Sequence, residues 1–218
     1  MSSVAGQGGQ GTIFQTNTTG SEFKTDNSFY TQIAAPWGDL IQASNGLLYG
    51  MTSAGGIYDA GSIFCYNIIT GKDSILYYFG SGTDGSGPVG SFIQANNGLL
   101  YGMTLFGGKN NKGTIISYDI TTGKETLLHN FGSGTDGSLP YGSLLQAKDS
   151  LLYGMTEEGG VNIGTGWGDG IIFSYNIISG VETDIHDFNN DGIDGYNPEG
   201  SLFEAANGLR SVAFLPDL

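Results

Sequence analysis

The chain repeats itself, and a repeat of this length leaves few folds open. The stretch LIQASNGLLYGMT, Leu40 to Thr52, returns as FIQANNGLLYGMT at Phe92 to Thr104 and as LLQAKDSLLYGMT at Leu144 to Thr156. A degraded copy, LFEAANGLRSVAF, occupies Leu202 to Phe214. A second block follows each of the first three: GSIFCYNIITG from Gly61, GTIISYDITTG from Gly113 and GIIFSYNIISG from Gly170. Its fourth copy stands at the front of the chain, as GTIFQTNTTG from Gly11. Such a period marks an architecture whose unit cannot bury its apolar faces alone and stacks on its neighbours.

Each block reads as two short strands around a turn. Asn45-Gly46 and Asn97-Gly98 predict two-residue hairpins, and the Thr70-Gly71 and Thr122-Gly123 pairs predict a second turn before a third apolar run. Four strands per unit follow, here called A to D, with both faces apolar and no sustained helical period. A four-stranded unit of about fifty residues is one propeller blade. Counted from the glycine that opens strand A, the full units span 38–89, 90–141 and 142–199. The residues left over, 200–218 and 1–37, together make one unit more. The expected fold is therefore all-β: a four-bladed β-propeller of four-stranded antiparallel blades, in one domain over 1–218. Its last blade is closed by strands A and B from the C-terminus and strands C and D from the N-terminus, which leaves no open sheet edge.

Composition narrows the partners. Seven Lys and Arg stand against 21 Asp and Glu, a net charge of −14 that repels nucleic acid and anionic membranes. No apolar run reaches the length of a membrane span, so no membrane insertion is expected. Residues 1–11 do not read as a signal peptide. Cys65 is the lone cysteine, so no internal disulfide forms, and its counterparts Gln15, Ser117 and Ser174 mark it as an ordinary strand residue. A monomer is expected.

The run FGSGTDGSLPYGSLLQAKDSLLYGMT, with the GG and GTIF-type strand that follow, resembles the bacterial extracellular tandem repeat described from Gloeobacter and Verrucomicrobia. The resemblance covers essentially the whole chain and implies a propeller-like fold in a secreted or cell-surface setting, with no general activity attached. This chain departs from the repeat at Met51, Met103 and Met155, where the family usually has threonine, and at Arg210 and Ser211, which replace the Leu-Tyr pair of strand B.

Chemistry is expected on the face formed by the D-to-A and B-to-C loops, which vary most between units. Asp84, Asp136 and Asp194 each stand four residues before a proline, with Gln32 in the fourth copy. Pseudo-fourfold symmetry would gather them into an axial cation site; alternatively each carboxylate caps its own turn. The segment Asp187-Phe188-Asn189-Asn190-Asp191-Gly192 has the oxygen spacing of a calcium loop, with Glu199 as a closing ligand, although Glu199 falls one position beyond that of an EF-hand. Ca²⁺ is accordingly the cofactor to consider. The longest B-to-C loop adds Glu157, Glu158, Trp167 and Asp169, an indole beside carboxylates that suits a sugar or another small molecule. Trp37 is expected to pack between blades, as are Gln42, Gln94, Gln146 and Glu204. His129 and His186, in equivalent strand-D positions, are too far apart for a shared metal or a triad.

Three functions fit these observations: a binding or adhesion module, with carbohydrate as one ligand class; a metal-dependent hydrolase of esters, lactones or phosphotriesters using the axial cation; and a purely structural repeat.

Overall fold

In Leu48-Tyr49-Gly50-Met51-Thr52, alternate side chains point to opposite faces of a strand, and neither face is polar. Such a strand is stable only between two neighbours, and the chain folds accordingly. The structure, a computed structural model, describes residues 10–28, 33–162, 168–189 and 194–211. Among these residues it is all-β, with no helix.

Strands β1 (Thr12–Thr16) and β2 (Phe23–Ser28) form a two-stranded sheet. Then β3 (Ile41–Gln42), β4 (Leu48–Thr52), β5 (Ser62–Asn67) and β6 (Lys72–Tyr78) form an antiparallel meander in chain order. The next sheet holds β7 (Gly85–Pro88), β8 (Ile93–Gln94), β9 (Leu100–Gly107), β10 (Thr114–Asp119) and β11 (Lys124–Asn130), with β7 and β8 both on β9. A further meander holds β12 (Ser138–Gln146), β13 (Leu152–Glu158), β14 (Ile171–Asn176) and β15 (Val181–Asp187). Finally β16 (Phe203–Glu204) pairs with β17 (Arg210–Ser211).

The repeats agree down to their irregularities. The C–D pair of every unit shifts register at the same step, Ile13/Phe14, Ile63/Phe64, Ile115/Ile116 and Ile172/Phe173, which identifies β1–β2 as a true fourth copy. The expected joining of the two chain ends into one sheet is not among the described strand pairs: β16–β17 and β1–β2 stand as separate sheets, so five sheets replace the expected four. Strand B of this copy departs from the others in sequence, with Arg210 and Ser211 where β4, β9 and β13 have a Leu-Tyr pair, and the described residues end at Ser211.

The A–B turn also differs from the sequence expectation. Gly46 N–H bonds to Ala43 O and Ala43 N–H to Leu47 O, a three-residue turn in which Gly46, at φ 83°, has the positive angle and Asn45 does not. The amide of Asn45 has other work. Its Oδ1 accepts from Leu47 N–H at 3.1 Å and its Nδ2 donates to Tyr49 Oη at 2.8 Å.

The cores lie between sheets. Tyr49, Met51 and Ile63 of one unit meet Phe92, Leu100, Ile116 and Tyr118 of the next, and Tyr101, Met103 and Ile115 meet Leu144, Leu152, Phe173 and Tyr175. Gly102 makes room: a Cβ there would crowd the Met51 side chain and the Phe92 ring. Met51, Met103 and Met155 are all at most 2% exposed, so the family-atypical methionines are seam-filling core residues. At the ends, Leu202 packs on Ala147, Tyr153 and Met155, while Ile13 and Ile33 pack on Phe64 and Tyr66.

Candidate binding site on the central axis

Strand A carries a break that builds the middle of the molecule. Tyr141 pairs with Met155 and Leu145 with Tyr153, so Gly142, Ser143 and Leu144 stand opposite Gly154 alone. A bulge of that size pushes backbone out of the sheet. There it meets the next unit so closely that no side chain fits: a Cβ on Gly38 would strike the carbonyl of Gly90, one on Gly90 that of Gly142, and one on Gly142 that of Gly200. Gly90 is also at φ 98°, a conformation closed to other residues.

One residue further, the same bulge ties unit to unit by hydrogen bonds. Asp39 N–H donates to Ser91 Oγ at 2.7 Å, Ser91 N–H to Ser143 Oγ at 2.8 Å and Ser143 N–H to Ser201 Oγ at 2.8 Å. The opposite rim has its own series. Ser44 N–H donates to Gln94 Oε1, Asn96 N–H to Gln146 Oε1 and Lys148 N–H to Glu204 Oε2. Three of the four recurring strand-A residues thus bond between units, as their sequence suggested.

On the loop side of the glycines opens a cavity of about 220 Å³. It is lined by one tier made of Trp37, Val89, Tyr141 and Glu199, the residues before each strand-A glycine, and by a second made of Asp39, Ser91, Ser143 and Ser201, the residues after it. Residues from near both ends of the chain therefore line one space. Trp37 is 63% exposed, which corrects the expectation that it packs between blades. Asp39 and Glu199 are exposed and are the charged residues of the lining. Burial, followed by the nearby Glu199 and Glu157 carboxylates, raises the Tyr141 phenol above its ordinary value. Burial, then Glu199 and Glu158, raises the Glu157 carboxyl likewise. The mouth of the cavity is thus acidic on the side of Glu157 and Glu199.

The other candidate residues fall elsewhere. Asp84 accepts from Tyr77 Oη at 2.7 Å and from the Ser81 and Gly82 amides. Asp136 accepts from Ser133 N–H at 2.7 Å and lies 3.2 Å from His129 Nε2; Asp194 lies 2.9 Å from His186 Nε2. Each carboxylate is held in its own turn against strand D, and none of the three lines the axial cavity. Gln32, their fourth counterpart, lies outside the described residues.

Asp187 Oδ1 accepts from Val161 N–H at 2.7 Å, the same task that Asn130 Oδ1 performs for Lys109 N–H, also at 2.7 Å. An amide serves as well as a carboxylate there, which is the signature of a loop tie. Asn189 is half-buried beyond β15, and Asp191 lies outside the described residues. Glu158 pairs with Lys112 of the preceding unit at 3.4 Å. Asp169 is buried, with its carbonyl accepting from Asn197 N–H, and Trp167 lies outside the described residues. Among the described residues no three His, Cys, Asp or Glu side chains are grouped to hold a metal.

Sequence reasoning overlooked the lining itself. The signal was present in two columns of the repeat: Trp37, Val89, Tyr141 and Glu199 vary freely between invariant neighbours, and Asp39 stands where the other copies have serine.

Antiparallel meanders stacked through apolar seams, with their first strands meeting around a shared cavity, define a β-propeller-like repeat protein. Solved structures share this fold, among them the following two. TolB from Acinetobacter baumannii superposes with a TM-score of 0.57 at 13% identity, over 91% of this chain and 41% of that one. A chain of the nidogen/laminin complex gives 0.59 at 14% identity, over 89% and 61%. The chain thus spans less than two thirds of either structure. It belongs to the Gloeobacter/Verrucomicrobia repeat family, whose pattern it matches over residues 1–213. No curated protein matches it.

Proposed function

We propose that the chain is an extracellular binding module that closes as a four-bladed propeller and takes a carbohydrate in its axial cavity. The observation that carries this reading is the cavity itself, lined at once by Trp37 and Asp39, where the first full unit begins, and by Glu199 and Ser201, where the last full unit ends. An exposed indole offers the flat apolar face that stacks on a pyranose ring, and the carboxylates accept from its hydroxyls. Each lining serine accepts a main-chain bond and keeps its own hydrogen to donate. The extracellular setting rests on the family resemblance. The hydrolase alternative requires Asp84, Asp136 and Asp194 to converge on a cation, and their separate turn contacts lend it no support.

Trp37 and Trp167 are the chain's two tryptophans, so Trp167→Phe isolates the axial indole as a fluorescent reporter. Titration of that variant with a panel of monosaccharides is expected to shift its emission saturably, and Trp37→Ala in the parent is expected to abolish binding measured by calorimetry. Chelator treatment is expected to leave the affinity unchanged. Binding that survives Trp37→Ala but not Trp167→Ala would move the site to the long B-to-C loop and overturn the axial reading.

A further inference from the structure

The charge of the axial cavity constrains the ligand further than its shape does. Its charged lining residues, Asp39 and Glu199, are both acidic, and Glu157 adds a third carboxylate close to Glu199. Among the described residues no Lys, Arg or His takes part in the lining. A neutral hydroxylated ring would bring these carboxylates hydroxyl donors but no compensating charge. Closing a ligand over them removes water, and removal of water from unneutralised charge is costly. A cation reverses that balance. The faces of Trp37 and Tyr141 carry the negative side of an aromatic quadrupole, which also favours a cation. The field of a chain at −14 concentrates cations at such an opening. The serine tier argues for more than a bare amine, because Ser91, Ser143 and Ser201 hold three hydroxyls at equivalent positions, each accepting a main-chain N–H. A volume near 220 Å³ is small for a binding pocket, which limits the ligand to about one ring.

We infer that the axial cavity selects a protonated amino sugar, its amine neutralised by Asp39 and Glu199 and its hydroxyls taken by the serine tier. This rests on the axial carbohydrate reading above and adds the ligand's charge to it. The probes are glucosamine, glucose and N-acetylglucosamine, titrated calorimetrically into the full chain at low ionic strength, with cyclohexylamine as an amine that lacks hydroxyls. Glucosamine is expected to bind at least tenfold tighter than each of the other three, and its advantage to shrink as salt is raised. In the double variant Asp39→Asn, Glu199→Gln, with folding verified by its thermal melt, the three sugars are expected to bind alike.

Equal binding of the three sugars to the parent chain overturns the charge inference and leaves the axial carbohydrate reading standing. Cyclohexylamine binding as tightly as glucosamine overturns the sugar half of the inference. A glucosamine preference that persists in the double variant places the amine elsewhere and overturns the assignment to Asp39 and Glu199. If no sugar binds and the emission of the Trp167→Phe protein stays still, the axial reading fails and this inference fails with it.

Discussion

The seams between full units and the seams at the chain ends solve one packing problem with different materials. Among the described residues, ten buried side chains make each core between full units, whereas four are grouped at each end seam. Where Leu100 and Leu152 fill the inner seams, the last unit has Arg210. Its guanidinium lies 3.6 Å above the Tyr153 ring and 2.9 Å from Asp149, with Glu204 at 3.9 Å. The degraded copy is therefore compensated: a cation over an aromatic face and an ion pair stand in for an apolar contact. The lesson is that a repeat can lose its signature at the end of an array and still dock, with polar contacts standing in for apolar ones.

The sharpest way to break the comparison is at an inner bulge. Gly90→Val puts a side chain into the Gly142 carbonyl and forces a closed backbone angle, and a loss above about 4 kcal/mol is expected, read as failure to give a cooperative melt. Next, Met103→Ala is expected to cost about 2–5 kcal/mol in denaturant unfolding, and Leu202→Ala distinctly less, because Leu202 is 7% exposed where Met103 is 1% exposed. Equal costs would refute the distinction between the seams. Arg210→Ala is expected to cost about 1 kcal/mol, declining with added salt; a salt-independent loss would deny the ion pair its part.

The smallest effect is one of pH, and it belongs to the inner seams. Burial, with Asp84 opposite, raises the Glu125 carboxyl to about 7; burial, with Asp184 and Asp136, raises that of Glu182 to about 8. The corresponding position in β2 is Phe23, so the end unit has no such carboxylate. Between the ordinary glutamate value and these raised ones, the native chain holds protons that the unfolded chain has released. Stability is then expected to be full near pH 4.5 and to fall as pH rises through 7 to 8. Thermal melts of Glu182→Gln are expected to show a weaker decline over that interval, and an unchanged profile would rule Glu182 out as its source.

Much of this architecture was legible in the repeated strings. LLYGMT alternates apolar groups to both faces, which dictates stacked sheets, and Gly11 to Gly20 in front of the first full unit announces a fourth copy of strand C. The turn was misjudged because Asn45 is placed by its side-chain bonds to Leu47 and Tyr49, which a residue-pair rule does not contain. The axial tier was overlooked for a related reason. Recurring Asp84, Asp136 and Asp194 drew attention as a symmetric set, yet repetition there reflects a turn that every unit needs. The residues that line the cavity include the ones that differ between units, Trp37, Val89, Tyr141 and Glu199, and a search for a symmetric set passes over them.

The bonds through which each unit grips the next run between like positions, serine to serine on one rim and glutamine to turn amide on the other. Any copy is therefore equipped to follow any other. Duplicating or deleting a whole unit would leave these junctions chemically familiar, so that the number of stacked units is open to change by recombination without redesign of the joints between them.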